Sequence, residues 1–295
     1  RIAPLLNARI KVMSNLDIAE RRIPQDGRMS LKLGEKWVDI RVSTLPSSFG
    51  ERLVLRLLDK ADASLDLEEL GMTSEMTKDY LQQLKSTSGI ILVTGPTGSG
   101  KTTTLYSGLN FLNDQTRNIL TVEDPIEYAL EGVGQTQVNN KVGLSFSKGL
   151  RAILRQDPDV VMVGEIRDKD TAETAIQASL TGHLVLSTIH TNDSVGAITR
   201  LIDMGVEPYL LASTLKMVIA QRLVRKLINK NEFSGRVGIF EMIKIDSEIK
   251  NYINETVDED KIRNIAFKKY NSLLNDGEEK VKKGIRAMVV PGSGL

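Results

Sequence analysis

The sequence predicts an α/β protein, a parallel sheet with helices between its strands, preceded by a small α+β domain and followed by a helical C-terminal part. Four short apolar runs, Ile90–Val93, Ile119–Val122, Val160–Val163 and Leu184–Ser187, are separated by helical segments. Strands buried on both faces and alternating with helices form parallel sheets. A glycine-rich stretch, Gly95–Thr102, links the first run to a helical segment. Before residue 60 the runs instead alternate around turns, the mark of antiparallel hairpins.

In chain order, residues 1–60 read as the first domain. Ile2 to Ile18 is expected as a helix, Met29–Leu33 and Val38–Val42 as a hairpin turning at Gly34, and Ser48–Leu58 as a third strand. Residues 61–73, with Asp62, Asp66, Glu68 and Glu69, read as an acidic linker. Residues 74–228 hold the parallel-sheet core. Beyond Val206 the chain reads as helical, with an irregular patch from Asn229 to Gly238, so residues 229–290 are expected as a helical region. Residues 291–295, Pro-Gly-Ser-Gly-Leu, read as an appended linker. The chain opens at Arg1 in what reads as mid-domain, so it is expected to be a fragment.

Composition narrows the function classes. At 295 residues two domains are the natural expectation. The 39 basic residues nearly cancel the 38 acidic ones, leaving a net charge of +1 and no basic excess for a duplex nucleic acid. Aromatic residues at 4% are too few to favour a base-stacking channel. With no cysteine, neither a disulfide nor a thiolate metal site is possible. No apolar run reaches the roughly 20 residues that span a bilayer, and no signal-peptide pattern opens the chain. That fits a cytoplasmic location.

Gly95-Pro96-Thr97-Gly98-Ser99-Gly100-Lys101-Thr102 matches G-x-x-x-x-G-K-[ST] at every fixed position. A glycine-rich turn with an incidental lysine would need neither the strand before it nor the helix after it. Here the glycines let successive N–H groups point at phosphate oxygens, and the helix N-terminus adds partial positive charge. Lys101 is expected on the β and γ phosphates of ATP and the Thr102 hydroxyl on Mg²⁺, with Thr103 beside them.

Hydrolysis also needs a group that orients water and a second hold on the metal. Glu123-Asp124-Pro125-Ile126-Glu127 follows one strand and Gly164-Glu165-Ile166-Arg167-Asp168 another. Carboxyl ends of parallel strands are where ligands bind. A solvated acid or a helix cap competes with a catalytic role, weakly for Glu127 and Glu165, evenly for Glu123, Asp124 and Asp168. Asp159, at a strand start, belongs far away. His190 ends the fourth run and faces the chemistry, whereas His183 reads as structural. Arg151 and Arg155 share a helix face. With Arg167 and Arg200 they outnumber what one nucleotide can engage, so they are either surface pairs or fingers to a neighbour's nucleotide.

Taken together, Gly95–Thr102, Thr121–Glu127, Val163–Asp168 and Thr181–Asn192 resemble the Walker A, Asp box, Walker B and His box of the secretion ATPase superfamily. Leu16–Arg28 resembles its extension ATPases and is not expected in pilus retraction ATPases. Gly134–Asn139 and Gly149–Asp168 are most similar to the type II secretion ATPase family, with pilus assembly ATPases as near neighbours. The likeness runs over roughly residues 1 to 245.

The resemblance implies a RecA-like P-loop domain and Mg-dependent ATP hydrolysis. It makes Glu127 the general base, Glu165 the Mg²⁺ holder beside Thr102, His190 a γ-phosphate contact, and Arg41 and Arg56 arginines that close over the nucleotide. It further implies a hexamer at the cytoplasmic face of the inner membrane. Such a hexamer drives pseudopilus assembly with platform proteins and a cytoplasmic docking protein, and is peripheral, with no transmembrane segment and no nucleic acid. Alternatives are a type IV pilus assembly ATPase, a nucleic-acid translocase, and a sensor that binds without turnover. Three departures stand out. Gly164 occupies the usual Walker B aspartate position. No four-cysteine zinc module follows Ala220–Leu227. The expected upstream docking domain does not precede Arg1.

Overall fold

The computed structural model describes residues 2–34, 36–58, 66–229, 232–255 and 258–285. The chain divides into two compact units, Arg1–Ala63 and Ser64–Leu295.

In the first unit, helix α1 (Ala3–Met13) precedes strands β1 (Gln25–Leu33), β2 (Lys36–Ser47) and β3 (Gly50–Leu58), which form an antiparallel sheet in the order β1-β2-β3. The expected hairpin is present, with Gly34 at φ 63°. The expected helix stops at Met13, where Asn15 adopts φ 56°. Ile10, Met29, Ile40 and Val42 form the small core. Strand register sets Arg28 opposite Arg41 and Arg41 opposite Arg56, a row of like charges across the sheet.

In the second unit, α2 (Ser74–Leu84) leads into β4 (Gly89–Thr94), α3 (Lys101–Leu112), β5 (Ile119–Glu123), β6 (Gly134–Gln137), α4 (Phe146–Ile153), β7 (Val160–Val163), α5 (Lys169–Leu180), β8 (Leu184–Ile189), α6 (Ser194–Asp203) and α7 (Pro208–Thr214). There follow β9 (Leu215–Asn229), β10 (Glu232–Lys244), α8 (Ser247–Glu255), α9 (Glu259–Lys269) and α10 (Leu273–Lys282). The sheet order is β10-β9-β4-β8-β7-β5-β6, parallel except for β10. The predicted apolar runs are β4, β5, β7 and β8. Ile90 and Leu92 pack into one core and Ile91 and Val93 into the other, so β4 is buried on both faces. Because β4 lies between β8 and β9 rather than beside β5, the loop leaving it faces the ends of β8 and β7.

Two expectations are corrected. The region beyond Val206 is not helical throughout, since Leu215–Asn229 and Glu232–Lys244 pair as strands. Ile219, Leu223 and Leu227 recur at helical spacing amid helix-favouring Arg, Lys and Gln. Met217–Ala220, buried on both faces, shows no period-2 alternation that would reveal a strand. Pairing with β4 overrides the propensity. The helical part begins at Ser247. The linker is also shorter than expected. Leu67 and Met72 are buried in the second unit's core, their signal hidden by the flanking acids, and Thr73 caps α2. Residues 61–65 and 291–295 lie outside the described residues. No helix among the described residues is long and apolar enough to cross a membrane.

Candidate functional site

The loop between β4 and α3 is built on glycine. Gly95, Gly98 and Gly100 hold φ of 142°, 78° and 89°, a region glycine enters without strain. A side chain at Gly95 would meet the Gln221 carbonyl at 2.3 Å, and one at Gly100 the Gln221 amide at 2.7 Å. At Gly98 nothing lies within 4 Å. Pro96, Thr97 and Gly98 are exposed, while Thr102 and Thr103 are half-buried. The Ser99 hydroxyl is buried without a partner among the described residues. Lys101 Nζ donates to the carbonyls of Gly95 at 2.9 Å and Pro96 at 3.0 Å. Burial pushes its pKa down, with Glu165 pulling the other way. An open glycine turn at a helix N-terminus, an orphan hydroxyl and a partly desolvated ammonium fit a ligand with several anionic oxygens.

Glu165 is brought to this lysine. It is 8% exposed, paired with Arg167, and 3.5 Å from His190 Nε2. The side chains that place it come from β8. Ser187 donates to the Val163 carbonyl and Thr188 to the Gly164 carbonyl, both at 2.7 Å. The end of β8 is in turn tied to the end of β4. The Thr94 hydroxyl donates to the Ile189 carbonyl at 2.9 Å and accepts from the Thr191 amide at 2.9 Å. Lys101, Glu165, His190 and Arg167 therefore share one corner of the sheet.

The other candidates divide. Glu127 is exposed on the loop after β5, and its carboxylate has no hydrogen bond or ion pair among the described residues. Glu123 is buried and satisfied, accepting from Tyr106, from Thr121 at 2.6 Å and from Gln135 at 3.0 Å. Asp168 caps α5 through the Thr171 amide, and Asp159 accepts from the Asn118 amide at the opposite ends of the strands. Asp124 is exposed and acts on Arg167 through its charge. His183 Nδ1 lies 2.9 Å from the Ala178 carbonyl, a structural contact. Arg151, Arg155 and Arg200 are exposed and form no ion pair among the described residues. Arg41 lies 4.0 Å from Asp26 within the first unit.

Sequence reading missed Gln221, whose side chain accepts from Thr104 at 2.7 Å beneath the glycine loop. A polar residue ending the apolar run Met217–Ala220 was the available signal, once that run is taken as a strand. It also missed Glu241, buried on β10, which accepts from the Ser194 and Leu273 amides at 2.9 and 3.1 Å and so caps α6 and α10.

The chain is 53% identical over 320 positions to the type II secretion system protein E of Pseudomonas aeruginosa, covering 96% of this chain and 64% of the relative. It is 50% identical to the type II secretion system ATPase E of Vibrio cholerae, over 98% of this chain and 64% of the relative. The chain thus spans about two thirds of the length of these relatives, just under that fraction. The 320 aligned positions exceed the chain's 295 residues, so the Pseudomonas relative carries residues this chain lacks. Among solved structures, the pilus retraction motor PilT with bound ADP superposes with a TM-score of 0.76 at 30% identity, covering 93% of this chain and 77% of the other. The Legionella pneumophila ATPase DotB superposes at 0.73 with 25% identity, covering 90% and 75%. A family model described as Type II/IV secretion system protein matches residues 1–289. A match running through both units places the chain in the Type II/IV secretion system protein family.

Proposed function

We propose that the chain hydrolyses ATP with Mg²⁺ and powers type II protein secretion by driving pseudopilus assembly, as a hexamer at the cytoplasmic face of the inner membrane. The observation that carries the reading is Lys101 beside Glu165 and His190 at the carboxyl ends of β4, β7 and β8. The relatives' names, type II secretion system protein E and ATPase E, support the process.

In this mechanism Lys101 exchanges its loop carbonyls for β- and γ-phosphate oxygens, while Gly95 to Thr103 cradle the phosphates. Thr102 and Glu165 would hold Mg²⁺, which supplies charge neutralisation between the phosphates. Gly164 brings no carboxylate, so the acidic share of that hold rests on Glu165. His190 contacts the γ phosphate, and Glu127 orients the attacking water. Platform proteins of the inner membrane and a cytoplasmic docking protein are the proposed partners, and nucleic acid is not. A pilus motor is the second reading, on the likeness to the pilus retraction motor PilT. Lys101→Ala should abolish phosphate release from ATP with the fold intact, and near-parental turnover in a folded variant would overturn the reading.

A further inference from the structure

The side chain of Gln135 is a staple. It stands on edge strand β6, opposite Thr121 of β5. Its Oε1 accepts from the Leu130 amide at 2.8 Å, and its Nε2 donates to the Tyr128 carbonyl at 3.2 Å. One amide thus grips the backbone on both sides of Ala129, directly after Glu127. The same Nε2 lies 3.0 Å from Glu123 Oε1 and 3.2 Å from the Tyr106 hydroxyl, which itself donates to Glu123. Tyr106 and Tyr128 meet edge to face, ring centres 4.8 Å apart. The Glu127 backbone also reaches the Tyr106 hydroxyl.

Tyr106 belongs to α3, four residues after Thr102 and so one turn along the same helix face. The helix that opens with the phosphate-binding loop is thereby bolted to the loop that carries Glu127. The bolt is a nearly closed polar cluster of Tyr106, Glu123, Thr121 and Gln135. The Glu127 carboxylate is exposed, with no hydrogen bond or ion pair among the described residues, so its position is fixed from behind, through its backbone.

We infer that Gln135, acting with Tyr106, is a positioning residue that sets Glu127 relative to Thr102. This rests on Glu127 orienting the attacking water. The staple touches no part of the phosphate cradle, so its loss misplaces the base and leaves nucleotide binding alone. A misplacement of about 1 Å can cost about a hundredfold in rate.

The test uses the full chain with Gln135→Met, similar in length without the amide, and Tyr106→Phe, which keeps the ring on Tyr128. Each variant is followed by phosphate release from ATP and by binding of a fluorescent ADP. The expected result is kcat lowered by about tenfold or more for Gln135→Met, and less for Tyr106→Phe, with KM and ADP affinity within about twofold of the parent. In a Glu127→Gln background neither change should lower the residual turnover further. Parental kcat in both variants, equal loss of kcat and ADP affinity, or a full further loss in the Glu127→Gln background overturns the inference. Parental turnover in Glu127→Gln alone refutes the role of Glu127, and the positioning role falls with it.

Discussion

Thr94→Val tests whether the end of β8 is held to β4 by one hydroxyl. Thr94 is fully buried, and valine keeps its shape. The change leaves the Ile189 carbonyl without its donor and the Thr191 amide without its acceptor, in bonds of 2.9 Å each. A stranded buried polar group costs about 1–3 kcal/mol. Solvent reaches half-buried Thr191, and the added methyl returns about 0.8 kcal/mol, so a net loss of about 2 kcal/mol is expected. For a unit of this size that lowers Tm by about 4–8 °C. Thr94→Ser, retaining the hydroxyl, should recover most of the loss. Calorimetry reads the stability, and phosphate release reads whether His190 has moved. A Thr94→Val protein that melts with the parent, with Thr94→Ser below it, would show that the methyl packs and the hydroxyl does not tie.

Glu127→Gln should bind Mg-ATP as the parent does and turn over at least about a hundredfold more slowly, whereas a loss of binding would contradict its place outside the cradle. Glu165→Gln should weaken the dependence of nucleotide binding on Mg²⁺, measured by titrating the metal at fixed nucleotide, and an unchanged dependence removes Glu165 from the metal. Burial raises the pKa of Tyr80 and of Tyr106. Their stabilising contribution is therefore complete below the unfolded value of about 10 and is lost as pH rises above it. Tyrosinate absorbance should show both un-ionised in the native chain at pH 10, and ionisation there without unfolding would refute the sign. Mixing inactive Lys101→Ala subunits with inactive Arg151→Ala or Arg200→Ala subunits should restore part of the phosphate release if those arginines serve a neighbour, and no rescue in assembled rings means that they act in their own subunit or only hold the surface together.

The parallel-sheet core was legible because its signals are local. Each of β4, β5, β7 and β8 is a run buried on both faces, and the glycine loop is contiguous. Glu165 and His190 were legible as strand-end residues, since topology brings strand ends together even when they are far apart in sequence. What stayed hidden depends on pairing that no local window contains. β9 carries helix-type spacing, and only its place beside β4 makes it a strand. Glu123 stood level with Asp124 and Asp168 until Tyr106, seventeen residues earlier, showed it to be buried structure. Asp168 proved to be a cap because the Thr171 amide faces it. The first unit's arginine row could have been read only with the register of both hairpins in hand.

The corner around Glu165 has a charge logic of its own. One carboxylate faces Arg167 and His190, and its field also reaches Lys101. Gly164 adds no carboxylate there, and Asp124 reaches Arg167 with its charge. Arg167, 61% exposed at its side chain, is the partner best able to swing away. Among the described residues Lys101 donates to the backbone carbonyls of its own loop alone, so a phosphate can take it at the cost of two hydrogen bonds to neutral acceptors. A cation at Glu165 must compete with Arg167, and one bound together with the phosphates gains their charge as well. Metal and nucleotide are therefore expected to bind as a unit, each weak at this corner without the other.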